Sequence, residues 1–150
     1  MSERKRRVLF SPPDISEEEI KEVSETLRSG WITTGPRTKK LEKEIAAWIG
    51  VGHTAKGTPR CVCLNSQTAC AEMALRIMGI GQGDEVIVPA YTYTASASVV
   101  CHVGAKLILV DSQKNSLEMD YDKVEAAINE RTKAIIPVDI GGIPCDYDKI

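Results

Sequence analysis

The sequence predicts an α/β fold, in which a mostly parallel sheet carries helices on both faces. Three observations predict it. Short apolar runs alternate with helical patterns from residue 61 onward, the run Val86–Val88 is apolar at every position, and Gly79 and Gly104 close two of the helical segments. A strand that is apolar throughout is typical of a parallel sheet buried on both sides. The pattern therefore indicates successive β-α-β units.

The composition is that of one globular domain with its own core. The 150 residues are 43% hydrophobic and 27% charged, which excludes a disordered or fibrous chain. The formal net charge is -2, so no broad basic surface for nucleic acid is expected. No apolar stretch approaches the ~20 residues of a membrane span, and no apolar segment follows the basic run Arg4–Arg7 as in a signal peptide. We expect a frayed basic tail and a cytoplasmic protein.

The cysteines and histidines indicate neither disulfides nor a metal site. The five cysteines are odd in number, and three lie in apolar segments, where a buried small side chain is the expected role. Cys61 and Cys63 would point the same way on a strand, but no further ligands accompany them. His53 and His102 form no nucleophile–base pair and are expected to be structural or surface residues.

Two helices are predicted before residue 60. Ser16 and Glu19 form a capping box, and the first helix runs to about Ser29, with Gly30 as its exit. The second helix follows the loop Trp31–Pro36 and ends at Gly50. The apolar positions lie on one stripe of each helix, Ile20, Val23 and Leu27 in the first and Leu41, Ile45 and Trp48 in the second. We divide the chain into a tail and turn at 1–15, a helical segment and loop at 16–60, and the sheet domain at 61–150.

The sheet domain alternates between strands and helices. Strands are predicted at Cys61–Leu64, Glu85–Ala90, Lys106–Asp111 and Ala134–Asp139, and helices at Thr68–Met78, Thr94–Val103 and Asp120–Ile128. The glycine-rich segment Gly79–Gly83 follows a helix and precedes a strand, so it predicts a turn and not a dinucleotide fingerprint, which follows a strand. Asp146 is expected to cap one last turn of helix. One turn buries no face, so this ending indicates a truncated chain.

A polar turn joins the first predicted strand to its helix. At Asn65–Thr68 the first N–H groups of the helix lack intrahelical acceptors and the helix dipole is positive, which suits a phosphate. The hydroxyls of Ser66 and Thr68 are additional donors. Ser and Thr are also ordinary helix caps, so the local sequence leaves phosphate binding and plain capping both open.

Two tyrosines follow the second predicted strand. In open parallel sheets, ligands collect at the carboxyl ends of the strands, where Tyr91 and Tyr93 are expected to lie. An aromatic ring beside a phosphate site can stack on a flat heterocycle. Packing of both rings in a core or an interface is the alternative.

Five strings of the sequence, taken together and in order, resemble one protein family. They are Gly30–Pro36 (GWITTGP), Asn65–Ala69 (NSQTA), Gly81–Pro89 (GQGDEVIVP), Tyr91–Tyr93 (YTY) and Thr132–Val138 (TKAIIPV). This set resembles the DegT/StrS family of pyridoxal-phosphate-dependent nucleotide-sugar aminotransferases, within the aspartate aminotransferase superfamily. Enzymes that aminate a 4-keto sugar, such as 4-amino-4-deoxy-arabinose and perosamine synthases, look most similar. The resemblance runs from about residue 8 to residue 150 and corresponds to the amino-terminal part of the family's length.

The resemblance implies a fold, a cofactor and a reaction. It implies part of a fold-type-I large domain, pyridoxal 5'-phosphate as cofactor, a homodimer with shared active sites, and amino transfer from glutamate to a keto sugar nucleotide. The implied site residues are Ser66, Gln67, Thr68 and Tyr93 for the cofactor and Thr33, Thr34 and Gly35 for a substrate loop near the active-site mouth. Gln67 stands where the family more often has Gly, and binding by backbone amides tolerates that difference.

The sequence also departs from the family. Asp139 stands where the family usually has His, and Gly141 where it has an aromatic residue. The Schiff-base lysine and the aspartate that pairs with the pyridine nitrogen lie in the family beyond the part matched here. No catalytic residue is therefore assigned, and this chain alone is expected to be inactive. In the family's sheet the first strand pairs with later strands, so exposed strand edges and aggregation or self-association are expected here.

Three functions remain open. The first is an aminotransferase of which this chain is one part. The second is a non-catalytic product that binds pyridoxal phosphate or a sugar nucleotide, or that assembles with a separate carboxyl-terminal part. The third is a nicotinamide-dependent sugar-nucleotide oxidoreductase, which fits the alternation of elements. This sequence, however, has no glycine fingerprint after any predicted strand, which disfavours that function.

Overall fold

The computed structural model describes Leu9, residues 11–50 and residues 59–150. The chain divides into two compact units, Met1–Cys63 and Leu64–Ile150. The predicted basic tail at Arg4–Arg7, His53 and the predicted loop up to residue 58 lie outside the described residues.

The first unit contains helices α1, Glu17–Arg28, and α2, Pro36–Ile49. The predicted capping box is confirmed, because the amide of Ser16 donates to the Glu19 carboxylate while the Ser16 hydroxyl caps the helix. Gly50 follows α2 as predicted. The first helix is joined to the start of the second by Arg37, whose guanidinium pairs with Glu22 and, at 3.2 Å, with Glu25.

The apolar stripes of these two helices face outward within the described residues. Ile20, Val23 and Leu27 of α1 are 49%, 60% and 64% exposed, and Leu41 and Trp48 of α2 are 48% and 79% exposed. Helices normally place such a stripe against a core. Both stripes therefore offer apolar surface for packing against other protein.

The second unit contains three parallel strands and three α-helices among its described residues. In order they are α3 (Gln67–Ile77), β1 (Glu85–Pro89), α4 (Ala95–His102), β2 (Lys106–Val110), α5 (Tyr121–Ala127) and β3 (Thr132–Ile135), followed by a 3-10 turn at Ile140–Gly142. The strand order is β2-β1-β3, and all pairings are parallel. None of the described helices is both long and apolar enough to cross a membrane.

The predicted coverage of both sheet faces is confirmed. Val86 and Val88 point to one face, where they pack with Leu75 of α3 and Val99 of α4. Ile87 points to the other face, where it packs with Val110, Met119 and Val124 of α5. The connection through α4 moves one place along the sheet, and the connection through α5 moves back across β1. Since such crossovers are right-handed, the two helices must lie on opposite faces.

Three predicted elements are wrong in detail. Cys61–Leu64 is not a strand, because a strand needs a backbone partner and this segment pairs with none of the three described strands. The last strand ends at Ile135, four residues before the predicted end. The last bond of the ladder is the Ile136 amide on the Ile87 carbonyl at 2.9 Å, and the next β1 residue that faces β3, Pro89, has no N–H group to donate. The final residues form a turn closed by the Lys149 amide on the Asp146 carbonyl, and not a helix.

A buried carboxylate joins the three strands at their amino ends. Glu85 of β1 is 2% exposed, and it accepts hydrogen bonds from Asn129 Nδ2 at 2.7 Å, Lys106 Nζ at 3.0 Å and Arg131 Nε at 2.9 Å. These donors, Asn129 first, lower the pKa of Glu85 to about 2. The charged carboxylate is therefore fully compensated where β1, β2 and the start of β3 meet.

Candidate functional site

The sheet reverses its winding between β1 and β3. The chain leaves β1 toward α4 on one face, whereas the connection that enters β3 passes through α5 on the other face. In open α/β sheets the crevice outside the carboxyl ends of strands at such a reversal is the usual place for a ligand. Tyr91–Tyr93 follow β1 at this crevice, and Ile136–Asp139 follow β3.

We expect the amino terminus of α3 to lie at the same edge of the sheet. The second half of α3 lies beside the end of α4, because Glu72 Oε2 is 3.0 Å from His102 Nδ1 and Arg76 Nη2 donates to the His102 carbonyl at 3.4 Å. The end of α4 lies at the amino edge of the sheet, where Ile80 packs with Ala105. A helix of this length extends about 16 Å, so we expect its first turn, with Ser66, to lie toward the carboxyl edge of the sheet.

The first turn of α3 presents hydrogen-bond donors. Ser66 has an extended backbone, and its Oγ accepts the Ala69 amide at 3.1 Å. The hydroxyl hydrogen of Ser66 remains able to donate outward, so capping and anion binding are compatible in one side chain. The amides of Gln67 and Thr68 are the first two of the helix and have no intrahelical acceptor. This turn combines neutral donors with the positive end of the helix dipole.

The two tyrosine rings lie outside the core of the described residues. Tyr91 is 57% exposed and Tyr93 is 80% exposed. The turn that carries them is held by the pair Thr92 Oγ1 and Ser96 Oγ at 3.1 Å, just before α4 begins. Packing in the core of this unit is therefore the wrong interpretation for both rings. Tyr93 offers an exposed aromatic face shortly after the end of β1.

The predicted substrate-loop residues belong to the first unit. The indole Nε1 of Trp31 donates to the Thr34 carbonyl at 3.1 Å and closes the loop. A cleft of about 400 Å³ lies beside it, lined by Thr26, Ser29, Ile32, Thr33 and other residues of the loop and of α2. The structure thus gathers Ser66, Gln67, Thr68 and Tyr93 in one unit, and Thr33, Thr34 and Gly35 in the other.

The two departures from the family pattern have local structural roles. Asp139 Oδ1 accepts the Cys145 amide at 2.9 Å and the Tyr147 hydroxyl at 3.0 Å. The Cys145 amide in particular lowers the pKa of Asp139. Gly141 has φ +65°, a left-handed conformation that favours glycine. Sequence reasoning missed the contact between Asp139 and Tyr147. The sequence did contain a signal for a turn that Asp139 could stabilise, since Asp139 precedes a segment with Gly141, Gly142 and Pro144.

Comparison with known proteins gives relatives across nearly the whole chain. SpsC, a spore coat polysaccharide biosynthesis protein of Bacillus subtilis (strain 168), is 45% identical over 141 residues, which are 94% of this chain and 34% of SpsC. A proposed sugar aminotransferase from Streptococcus pneumoniae, solved in its PMP-form, is 57% identical with a TM-score of 0.84 over 96% of this chain and 35% of that protein. The same protein is also known in a PLP-form.

A second solved structure resembles this chain at a lower sequence identity. DesV of S. venezuelae, in complex with a ketimine intermediate, is 37% identical with a TM-score of 0.76, over 89% of this chain and 34% of DesV. The chain spans about a third of the length of these relatives. Such likeness confirms the predicted fold, part of the fold-type-I large domain of enzymes that use pyridoxal phosphate. The profile of the DegT/DnrJ/EryC1/StrS aminotransferase family matches residues 13–150, and this chain belongs to that family.

Proposed function

We propose that this chain forms the cofactor-holding edge of an aminotransferase that transfers an amino group from glutamate to a keto sugar nucleotide and so forms a 4-amino-4-deoxy sugar. The observation that carries the proposal is the donor-rich turn before α3, which belongs to the same unit as the exposed ring of Tyr93. Membership of the family and the sugar aminotransferase among the solved relatives support it.

The first turn of α3 fits the phosphate of pyridoxal 5'-phosphate. The amides of Gln67 and Thr68 and the hydroxyl of Ser66 are the donors we assign to it, since Ser66 Oγ keeps its hydrogen while it caps the helix. A doubly charged anion at a helix amino terminus is favoured by the dipole as well as by the hydrogen bonds. Backbone donors explain why Gln67 is acceptable in place of glycine, because its exposed side chain need not contact the phosphate.

Tyr93 fits the ring of the same cofactor. Its phenol ring is 80% exposed shortly after the end of β1, and stacking of flat rings stabilises such a pair by about 0.5–1.5 kcal/mol. The bound cofactor would carry the amino group between donor and acceptor, with its pyridine ring taking up electron density while a proton moves. In this assignment Ser66 and Tyr93 hold and orient the cofactor, and no described residue is assigned a proton transfer.

The loop of the first unit is proposed to contact the sugar nucleotide. Thr33 and Thr34 are exposed and carry hydroxyls that can donate to and accept from sugar hydroxyl groups. Gly35 leaves room for the loop to close on the Trp31 indole. These residues would select and orient the acceptor rather than take part in bond making.

We further propose that the protein acts in the cytoplasm as a homodimer. The thiols of Cys61, Cys70, Cys101 and Cys145 are free, which agrees with a reducing compartment. The exposed apolar stripes of α1 and α2 provide surface that association would bury.

The test uses the full-length protein with nitrogen-15-labelled glutamate and 4-keto sugars linked to UDP, dTDP or GDP. We expect the cofactor to bind, as seen in its absorbance, and the label to appear in one sugar nucleotide, as seen by mass spectrometry. Failure to bind pyridoxal phosphate would overturn the proposal. Binding without transfer to any of these acceptors would favour the non-catalytic binder instead.

A further inference from the structure

The loop between α1 and α2 is closed by one aromatic side chain. We call residues Trp31–Gly35 the indole loop. The Trp31 indole donates from Nε1 to the Thr34 carbonyl at 3.1 Å. The ring also lies directly against Gly35, because a Cβ built on Gly35 would stand 2.5 Å from Trp31 Cδ1. The loop therefore has a side-chain hydrogen bond and a close ring-to-backbone contact on its inner side.

Gly35 is required by the indole and not by its own backbone. Its φ of -160° and ψ of -155° are extended values that any residue adopts. The space that a Cβ would need is occupied by Trp31. The two residues are consequently matched, and a side chain at position 35 must displace the indole.

Both ends of the indole loop are fixed to the helices. At its start, the Trp31 amide donates to Ser29 Oγ at 3.1 Å, and that hydroxyl donates to the Thr26 carbonyl at 2.6 Å. Just after its end, Arg37 pairs with Glu25 of α1 at 3.2 Å. The apex between these anchors is exposed, with Ile32 at 70%. Neither hydroxyl of Thr33 or Thr34 has a hydrogen-bond partner among the described residues.

We infer that Trp31 is a positioning residue, whose indole holds Thr33 and Thr34 in the conformation that receives the sugar nucleotide. The inference rests on the proposed function. A loop already fixed in its bound shape loses less conformational entropy when the ligand arrives, so the indole contributes affinity without touching the reacting atoms. The hydroxyls of Thr33 and Thr34 supply the polar contacts, and the closed loop fixes the direction in which they point.

The first experiment compares variants of the full-length protein in amino transfer. Trp31→Phe keeps a ring but removes the Nε1 donor, and Gly35→Ala displaces the indole. For both we expect KM for the 4-keto sugar nucleotide to rise about 3- to 10-fold, the range of one lost hydrogen bond, with kcat within about two-fold. KM for glutamate and cofactor absorbance should not change. Lys21→Gln is the control, because Lys21 is an exposed polar residue of α1 outside the indole loop.

The second experiment tests the match between the two residues. If the indole is what excludes a side chain at position 35, Gly35→Ala should have little further effect in a Trp31→Ala background. Fluorine NMR of protein labelled with 5-fluorotryptophan gives a readout that does not depend on activity. The resonance missing in Trp31→Phe belongs to Trp31, and it should move toward that of the free amino acid in Gly35→Ala.

The outcomes separate the two proposals. An active wild-type enzyme whose KM is unchanged by Trp31→Phe and Gly35→Ala would overturn the positioning role and leave the proposed function standing. A Gly35→Ala effect that is as large in the Trp31→Ala background would also overturn it. A wild-type protein that transfers no amino group would overturn the proposed function and this role with it.

Discussion

In the proposed cofactor site, the side chain of Ser66 contributes to anion binding at the first turn of α3. The Ser66 hydroxyl can cap α3 and bind an anion at the same time. Its Oγ accepts a hydrogen bond from the Ala69 amide at 3.1 Å, and its hydrogen can still be donated to an anion. The motif that contains Ser66 was visible in the sequence because Ser and Thr are common helix caps and their hydroxyls can also donate to a phosphate at a helix start. The sequence did not show that the two roles are compatible there. The structure shows it, because the extended backbone of Ser66 places its Oγ at the Ala69 amide.

Replacing Ser66 should weaken both the helix and cofactor binding. Ser66→Ala removes both the cap and the outward donor, so we expect a loss of about 1 kcal/mol of stability. We also expect cofactor affinity to fall about ten-fold. Ser66→Thr keeps the hydroxyl and serves as the matched control. Cofactor titration and thermal unfolding of the full-length protein measure the two effects, and equal affinity in Ser66→Ala and wild type would contradict the assignment.

Glu85 is a residue whose importance could not be predicted from sequence. Its partners Lys106, Asn129 and Arg131 are 21 to 46 residues away in the chain. A carboxylate at the start of an apolar strand gives no local sign of them. The fold alone brings these donors together, and the resulting contacts hold the pKa of Glu85 at about 2.

Glu85 should make stability depend on pH. Its folded pKa of about 2 lies below the ordinary 4.5, so the ionised carboxylate stabilises the fold fully above about pH 4.5. That contribution is lost as the pH falls from 4.5 toward 2. We expect Glu85→Gln to lower the thermal midpoint at pH 7, with a gap to wild type that narrows as the pH approaches 3. Glu130 is exposed, so Glu130→Gln should have the same thermal midpoint as wild type at every pH. A difference between Glu85→Gln and wild type that does not change with pH would disprove the linkage.

At the scale of elements, helices were more predictable than strands. Caps and glycines are local signals, and they placed both ends of α1 and α2 to within about one residue. A strand forms only when its backbone pairs with a neighbouring strand, and the local pattern of apolar and polar residues does not show whether such a neighbour exists. Cys61–Leu64 has the pattern of a strand but does not form a ladder with any of the three described strands. For β1, apolar at its three central positions, burial on both faces was predicted and the structure confirms it.

The central strand should be the element most sensitive to loss of volume. Ile87 is fully buried between β2, β3 and α5, so Ile87→Ala removes apolar area and leaves a cavity, at a cost of about 2–5 kcal/mol. Ile87→Val should cost about 0.5–1.5 kcal/mol. Ile77→Ala is the control, since Ile77 of α3 is 78% exposed and its loss should stay within about 0.5 kcal/mol. Urea unfolding measures all three, and similar values for Ile87→Ala and Ile77→Ala would refute this packing.

The whole molecule combines a well-covered sheet with helices whose apolar stripes are uncovered. In the second unit both faces of β1 are packed. In the first unit the stripes predicted on α1 and α2 exist, but most of their side chains remain about half exposed or more. Amphipathic periodicity identifies which face of a helix is apolar, yet it does not identify what covers that face. The partner of these stripes could therefore not be read from the sequence.

We expect this apolar surface to make the 150-residue chain self-associate. Val23 and Leu27 lie one turn apart on α1 at 60% and 64% exposure, and contiguous apolar surface of this kind associates in water. The double variant Val23→Glu and Leu27→Glu should reduce the assembly, whereas Lys21→Glu, at an exposed polar position of the same helix, should not. Light scattering coupled to size exclusion measures the mass of each. A wild-type monomer that melts in one sharp two-state transition would show that the stripes need no partner.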